Sequence, residues 1–567
     1  MPSDPLRSPH RKLFWFAAIA IGLLQVCAHR NDINPDGISY IELAWASVHS
    51  GLHALVSGYW SPLYPFFLSV VFRFLHPSLY WEFTVVHGVN FLIYVVNIAC
   101  FEVFLKQLIS LQEDSRDAQM QFQSLPLWNL GYLQFLWACQ FWLSPSIVNP
   151  DLCVAALIYL ATAILLRFAR GKINLSNILL LGVILALAYL AKAAMFPLAF
   201  VFLACVFFLV QLARGPMLRS VGCAWLATAI FLIAVGPYVV SLSQSKGRPT
   251  FGDSGKIAYA EYIDRAPLNI HWQGDPPGTG VPAHPTRKIF ADPAVYEFAS
   301  PVPGSYPPWR DPSYWYEGIT PHFSLRGQLW TLFRTSNAYL RMFSKTGILY
   351  FILIAVFALT RKEGKWRPIS VPEWLVFFPS FAALALYALV QVEFRYVSSF
   401  ALILLLWIFS CVQIKNIQDA PETAPRKCAS LVLLLAPTLA IAFAVSRDSI
   451  DLLRNRPNEP WQVVQGLHQM GIPPGTPFAS IGTGLDAYWA HLAQMRVIAE
   501  IPGKDQTAFV SADAAKKHAI LVKFQDAGAK AVFTKDVAVV HSMPGWHQIN
   551  GTRFYLFDLS ATPISQP

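Results

Sequence analysis

The sequence has few charged residues for its length. Of its 567 residues, 13% are charged, whereas 55% are hydrophobic and 14% are aromatic, and the mean hydropathy is +0.42. A soluble protein of this size does not cover its surface with so few charges. The composition therefore excludes a soluble globular protein and predicts a chain that crosses a membrane several times.

The cysteines lack the spacings of a disulfide framework or a zinc site. All eight lie in or at the ends of apolar segments, and no two are arranged as C-x-x-C. Structural zinc sites and disulfide-rich scaffolds both show recurring short cysteine spacings. Neither kind of site is predicted.

The net charge of +10 does not indicate nucleic-acid binding. Lys and Arg stand in short clusters between the apolar runs, as in membrane proteins, whose cytoplasmic loops hold the excess of positive charge. We therefore expect no nucleic-acid partner. The first apolar run follows a basic flank and ends in CAHRND without a small-residue cleavage site, so we interpret it as an uncleaved helix.

Eleven apolar runs are long enough to span a bilayer, which takes about 17 to 25 residues. They lie near residues 12–29, 83–105, 127–146, 151–168, 175–191, 195–212, 220–242, 345–360, 372–390, 397–413 and 428–446. The run Pro62–Leu75 covers only roughly 21 Å as a helix, which is less than the ~30 Å hydrocarbon core. It predicts a re-entrant or interfacial helix.

The Lys and Arg clusters also predict an orientation. If the N-terminus is cytoplasmic and the short helix does not cross, the inner loops hold nearly all the basic clusters, and the short outer loops hold only Arg30, Lys192 and Arg395. This distribution obeys the positive-inside rule. It predicts an integral protein of a bacterial inner membrane with these parts on the extracytoplasmic face: Asp36, Asp151, Lys192, Glu393 and the C-terminal region.

Two hydrophilic regions accompany the helices. A transmembrane domain is predicted over residues 1–446, including a first outer loop at 29–62 and a large outer loop at 243–345 whose many aromatic residues argue against disorder. Residues 447–567 alternate helix and strand patterns and predict a small extracytoplasmic α/β domain.

The C-terminal region contains IGTGLDA, a G-x-G-x-x-A pattern between a predicted strand and a predicted helix. Such a pattern can bind a dinucleotide. No acidic residue is convincingly placed to hold a ribose, and nicotinamide cofactors are scarce on the predicted outer face. We interpret the segment as a tight strand-to-helix turn.

A few polar residues at the outer ends of the spans are the functional candidates. A charge at the centre of a bilayer costs about 2.5 to 3.5 kcal/mol, so such groups need a polar cavity or a partner. The candidates are Asp36, Tyr40 and Glu42 in the first loop, followed by Asp151, Lys192, Glu393, Arg395 and Tyr396.

Structural roles are open for the same residues. Lys192 can reach the membrane interface with its long side chain, and Asp151 can cap the helix that follows it. Glu393 and Arg395 can form a structural ion pair. The carboxylates of the first loop can be solvated, and Tyr40 can be interfacial packing.

The order of these segments resembles the GT-C superfamily of membrane glycosyltransferases, in the branch of the protein O-mannosyltransferases and the lipid A aminoarabinose transferase. The matching segments are NPDGISYIELA, SPLYPFFLSVVFRFL, NPDLCVAALIYLA, AYLAKAAMFPLA and EFRYVSSFALILLLW, within residues 10–415. Those enzymes often have paired acids in the first loop, whereas this chain has Asp36 beside Gly37. It also lacks a D-x-D in the second loop, so no cofactor is firmly indicated and a divalent metal is possible but unsupported.

The resemblance implies inverting transfer of a sugar from a polyprenyl-phosphate donor, in contact with membrane lipids, to an envelope lipid, glycan or protein acceptor. Asp36 would be the catalytic base, and Lys192 and Arg395 would bind the donor phosphate. The remaining candidates would bind or orient substrate: Tyr40, Glu42, Asp151, Glu393 and Tyr396.

Two other functions compete with this one. A transporter or flippase for a lipid-linked saccharide also needs intramembrane charges, but transporters tend to have repeated halves and polar residues near mid-helix. We find no internal repeat, and the charges gather at span ends. A non-catalytic scaffold would leave the one-sided set of acids and bases unexplained.

Overall fold

The computed structural model describes most of the chain. The predicted span near 345–360 lies outside the described residues. The described residues are 9–114, 124–213, 215–264, 271–283, 286–300, 302–310, 316–344, 369–411, 424–454 and 456–560.

Long apolar helices form the larger part of the molecule. The first half contains α1 (Pro9–Ala28), α2 (Pro35–Ser50), α3 (Leu63–Leu75), α4 (Glu82–Asp114), α5 (Ser124–Phe141), α6 (Asp151–Ala169), α7 (Leu175–Ala191), α8 (Met195–Leu212) and α9 (Met217–Ser245). The second half contains α10 (Ser254–Tyr262), α11 (Pro307–Arg310), α12 (Leu325–Ser344), α13 (Val371–Ala388), α14 (Phe394–Cys411), α15 (Ala424–Leu453) and α16 (Glu459–Gln469).

Seven of the described helices are long and apolar enough to cross a membrane: α1, α4, α6, α8, α9, α13 and α14. Helices α3 and α7 are apolar but shorter, with 13 and 17 residues. The mostly helical fold with several candidate spans therefore agrees with the sequence. The number of eleven spans and the orientation remain predictions.

Helix α2 lies within the segment that we predicted as the first outer loop. Pro35 occupies its first turn, where a missing backbone N–H costs nothing, and Asp36 there interacts favourably with the positive end of the helix dipole. The helix ends at Gly51, whose φ of +92° favours glycine. It packs against α3 and against α11 of the large loop, so this segment is ordered structure.

A seven-stranded mixed sheet joins the large loop to the C-terminal region. Strand β3 is parallel to β4 and β5, and every other pair is antiparallel, in the order β1-β2-β4-β3-β5-β7-β6. The strands are β1 (Arg287–Phe290), β2 (Val295–Glu297), β3 (Pro477–Ile481), β4 (Arg496–Ile501), β5 (Ala531–Thr534), β6 (Trp546–Gln548) and β7 (Tyr555–Asp558). Two strands of this sheet thus belong to the large loop, which the sequence patterns did not predict.

The IGTGLDA segment is a tight turn at the end of β3. Gly482 has a φ of +73°, and a Cβ atom there would collide with the side chain of Gln506. A single 3-10 turn follows at Gly484–Asp486, and then a short helix, α17 (Trp489–Leu492). The remaining helices of this region are α18 (Gln506–Ser511), α19 (Ala514–Asp526) and α20 (Val537–His541).

Candidate active site

Four charged residues come together from the ends of four helices. Asp36 lies in the first turn of α2 and Asp151 is the first residue of α6. Lys192 directly follows α7, and Arg395 lies in the first turn of α14. Because the helices run side by side, residues distant in sequence meet at one end of the bundle.

The four charges alternate in sign and are linked in a row. Lys192 Nζ donates to Asp151 Oδ1 at 2.5 Å, and Arg395 Nη2 donates to Asp36 Oδ2 at 2.7 Å. Arg395 Nε lies 3.6 Å from Asp151 Oδ2, which joins the two pairs. The row therefore contains two cations and two carboxylates, which neutralise one another.

Burial differs along this row. The side chain of Asp151 is 3% exposed, whereas those of Asp36, Arg395 and Lys192 are 30%, 25% and 18% exposed. A buried charge is tolerated only when it is paired, so Asp151 depends on its two cationic neighbours. The other three residues are open enough to meet a substrate.

The aromatic ring of Tyr396 lies next to both cations, Lys192 and Arg395. Lys192 Nζ lies 3.3 Å from the centroid of its ring, and Arg395 Cζ lies 5.1 Å from it. A cation over an aromatic face is attracted by the negative face of the ring. Tyr396 therefore fixes where both positive charges sit.

The structure shows which partners three of these residues have. The backbone N–H of Asp151 donates to Asn149 Oδ1 at 2.9 Å, and the carboxylate of Asp151 accepts a hydrogen bond from Lys192. Lys192 binds Asp151 and lies over the ring of Tyr396. Arg395 pairs with Asp36, whereas Glu393 is exposed and accepts a hydrogen bond from Gln391.

Tyr40 lies one helical turn after Asp36 on α2 and is buried. Its ring packs edge-on against Trp60 and Tyr64, with centroids 5.0 and 5.1 Å apart. Burial, together with the nearby carboxylate of Asp36, raises the pKa of Tyr40 well above its ordinary value. Its hydroxyl group therefore stays protonated, and its ring packs inside the protein.

Glu42 lies away from the four-charge row and joins three parts of the chain. Its Oε1 atom accepts hydrogen bonds from Ser305 N at 2.8 Å and Ser305 Oγ at 2.5 Å. His491 of α17 lies between two carboxylates, with Nδ1 3.5 Å from Glu42 and Nε2 2.6 Å from Glu82 of α4. We call Glu42, His491 and Glu82 the bridging triad.

Two residues of the bridging triad, His491 and Glu42, are charged although their side chains are largely buried. Burial alone would lower the pKa of His491, but its two carboxylate neighbours outweigh burial and raise it to about 10. Burial alone would raise the pKa of Glu42, but hydrogen bonds from His491 and Ser305 lower it. The sequence analysis missed Glu82 and His491, although Glu82 stands at the start of an apolar span and the rule that selected Asp151 would also select it.

Metal ligands are not assembled in the described residues. Within the described ranges, no group of three His, Cys, Asp or Glu side chains is placed to hold a metal ion.

The fold is similar to those of several solved structures, although no family model and no curated protein matches the sequence. ArnT from Cupriavidus metallidurans bound to undecaprenyl phosphate shares 11% identity, with a TM-score of 0.54 over 99% of this chain and 100% of that chain. The same protein in the apo state gives 10% identity and a TM-score of 0.50, with 98% of each chain covered. The archaeal oligosaccharyltransferase AglB from Archaeoglobus fulgidus gives 13% identity and a TM-score of 0.46, over 93% of this chain and 70% of that chain.

The likeness to ArnT extends over the whole length of both chains. At such low identity it concerns the fold alone. It shows an ArnT-like fold, in agreement with the fold that the sequence resemblance predicted.

Proposed function

We propose that this protein is an integral membrane glycosyltransferase that moves a sugar from a polyprenyl-phosphate donor to a lipid, glycan or protein acceptor. Two findings support the proposal. The fold is that of ArnT, which has been solved with undecaprenyl phosphate, and the helix ends gather two cations and two carboxylates at one place. The proposal rests above all on the position of Arg395, whose guanidinium group lies between the carboxylates of Asp36 and Asp151.

The donor phosphate binds to Lys192 and Arg395. Arg395 is the stronger partner because its planar guanidinium group offers two parallel N–H donors to phosphate, whereas Lys192 acts as a point charge. Asp36 and the donor phosphate then compete for the same guanidinium group. When the phosphate takes Arg395, the carboxylate of Asp36 is released from its ion pair.

Asp36 acts on the acceptor hydroxyl group after this release. It accepts the hydroxyl proton while the hydroxyl oxygen attacks the anomeric carbon from the face opposite the phosphate. The bond between the anomeric carbon and the phosphate oxygen breaks, and polyprenyl phosphate leaves with the electron pair. A positioned base of this kind contributes about 10² to 10⁴ in rate, and configuration at the anomeric carbon is inverted.

Asp151 and Tyr396 keep the two cations in place. Asp151 accepts the Lys192 hydrogen bond from a buried position, and the ring of Tyr396 lies under Lys192. Lys192 and Arg395 can together balance the charge of the leaving phosphate, so we propose a reaction that requires no divalent metal. Glu393 lies outside this arrangement and is left for acceptor binding.

The site faces the extracytoplasmic side of a bacterial inner membrane in this proposal, with the N-terminus in the cytoplasm. Residues 1–446 form the catalytic membrane domain, and residues 447–567 lie on the same side as the site. A reporter fused after Ser446 tests the orientation, since it is expected to read as extracytoplasmic. A cytoplasmic reading would put the site on the wrong side for this donor and acceptor.

Transfer itself is tested with the purified protein in vesicles and a radiolabelled polyprenyl-phosphate sugar. We expect label to move to an envelope extract as acceptor, and mass spectrometry of envelope glycans from a deletion strain then identifies the missing sugar and its attachment point. Movement of the intact labelled lipid across the vesicle, without transfer of its sugar, would instead show a flippase.

A further inference from the structure

Helix α12 is amphipathic, but its apolar side faces away from the rest of the protein. Five of its apolar side chains lie on one arc of the helix and are each more than half exposed, whereas the opposite arc carries the buried Thr331, Thr335 and Met342. The exposed side chains are Leu325, Leu329, Trp330, Phe333 and Leu340. A helix on the aqueous surface of a protein has the reverse arrangement, so water is not what this arc faces.

The inward arc of α12 binds the end of α13. Thr335 Oγ1 donates to the carbonyl oxygen of Ala388 at 2.8 Å, and Tyr339 OH donates to that of Leu384 at 2.7 Å. Gln328 Nε2 donates to the carbonyl oxygen of Leu389 at 2.7 Å. The last carbonyl groups of a helix have no partners within the helix, and Thr335 and Gln328 supply such partners to Ala388 and to Leu389, which follows it.

The surface next to α12 is also apolar. Helix α13 is a candidate membrane span, and its exposed apolar side chains run from Trp374 through Phe378 and Phe381 to Leu389, which directly follows its last residue. The exposed arc of α12 therefore continues the apolar surface of a spanning helix at that helix's end. Because this apolar surface is continuous, we expect acyl chains of the bilayer to contact the exposed arc of α12.

The basic residues of α12 fit a position at the membrane surface. Arg326 and Arg341 are exposed on the same side as Trp330. Trp and Arg are typical of the lipid headgroup region, where an indole ring is at the boundary and a guanidinium group reaches the phosphates. A helix with one apolar arc and several arginines lies in the plane of the interface and does not cross it.

We propose that α12 lies in the lipid–water interface, with its exposed arc against acyl chains and Arg326 and Arg341 at lipid phosphates. The helix thereby fixes the end of α13 relative to the membrane surface. Arg395 follows that end within a few residues, so α12 also sets the depth of the guanidinium group. This last step rests on the function proposed above, whereas the position of the helix does not.

Photo-crosslinking tests the position directly. A benzophenone amino acid replaces Phe333 in the full chain, which is then reconstituted in vesicles made only of phospholipid and irradiated. We expect a mass shift of one phospholipid on α12. The matched control places the same amino acid at Val537, which is also apolar and exposed but lies on α20, and we expect no lipid adduct there. Any of three results would overturn the proposal: no lipid adduct at residue 333, equal adducts at both positions, or a crosslink to protein.

A second variant tests the link to Arg395. Thr335→Val combined with Tyr339→Phe removes two hydroxyl donors to α13 and keeps side-chain size, so we expect donor KM to rise by about 3- to 10-fold with little change in kcat. The matched control is Ser336→Ala at an exposed position of α12, which should leave both constants unchanged. Unchanged KM in the double variant would overturn the link to Arg395, while the lipid adduct separately reports the position of the helix even if no transfer is found.

Discussion

Arg395 donates a hydrogen bond to Asp36 across 2.7 Å, although 359 positions separate them in the sequence. The candidate base and the strongest candidate phosphate ligand are therefore partners in this structure. The same carboxylate oxygen atoms cannot hold Arg395 and accept the acceptor proton at the same time. In the proposed reaction, donor binding draws Arg395 away and thereby frees Asp36 for the acceptor.

Replacing Asp36 by Asn should abolish most transfer. The amide still accepts a hydrogen bond from Arg395 but cannot take the acceptor proton, so we expect a loss of about 10² to 10⁴ in kcat. Initial rates with the radiolabelled donor measure the effect, and the melting temperature should stay close to that of the parent. Asp32→Asn serves as a control because this nearby carboxylate is 63% exposed. Parent-like rates in the Asp36 variant would remove the assignment of the base.

Asp151 and Lys192 should show strong coupling. Lys192→Met leaves a carboxylate that is 3% exposed with a weaker counterion, and breaking a buried pair costs about 3 to 5 kcal/mol. Adding Asp151→Asn removes that charge and should restore much of the melting temperature but not the donor affinity. Thermal unfolding and donor binding of both single variants and the double variant measure these effects. Additive losses of stability would mean that the two side chains do not interact.

The four-charge row could be predicted from the sequence because charges at the ends of apolar spans are rare. Topology already accounts for the basic residues of the inner loops, so few candidates remained, and their placement at span ends implied one face. The individual pairings could not be predicted, since Asp151 had two possible cationic partners and Arg395 had a nearer acid in Glu393. These pairings depend on how each helix is rotated about its own axis.

Glu42 shows a further limit. It was grouped with Asp36 and Tyr40 because all three belong to one loop, but the structure makes that loop a helix. Residues four apart share a face of a helix, whereas a spacing of six places a side chain on another face. Pro35 and Asp36 at the start are a recognisable helix-start signal, which would have separated Glu42 from the other two.

Strands β1 and β2 of the large loop could not be predicted from the sequence. They have only four and three residues, which are too few to show a periodic pattern.

Gly482→Ala should destabilise the sheet region. A φ of +73° is strained for alanine, and its Cβ atom would also displace Gln506, which donates to Asp536. We expect a loss of about 1 to 3 kcal/mol, measured as a lower melting temperature. Gly471→Ala is the matched control, because its φ is +74° but no atom lies within 4 Å of the new Cβ. Equal losses in both variants would show that Gln506 adds nothing.

Removal of divalent metal ions should leave transfer intact. In the proposed reaction, Lys192 and Arg395 provide the positive charge beside the departing phosphate, which is the task that a metal ion performs in other phosphate-leaving reactions. Activity after dialysis against EDTA, compared with the same sample supplemented with magnesium or manganese, measures this. A loss that added metal reverses would require a metal at the site and would change the role of both cations.

The bridging triad should make the junction between α2 and the C-terminal region sensitive to alkaline pH. The pKa of His491 is raised from 6.5 to about 10, so its contribution to stability is fully present below pH 6.5 and is lost as pH rises towards 10. We compare the melting temperature of the parent with that of His491→Gln, which keeps a hydrogen-bonding side chain without the charge. The difference should be largest near pH 6.5 and should shrink steadily up to pH 10. His468→Gln, a change on α16 outside the triad, should show no such trend, and a difference that stays constant from pH 6.5 to 10 would mean that His491 is neutral between the two carboxylates.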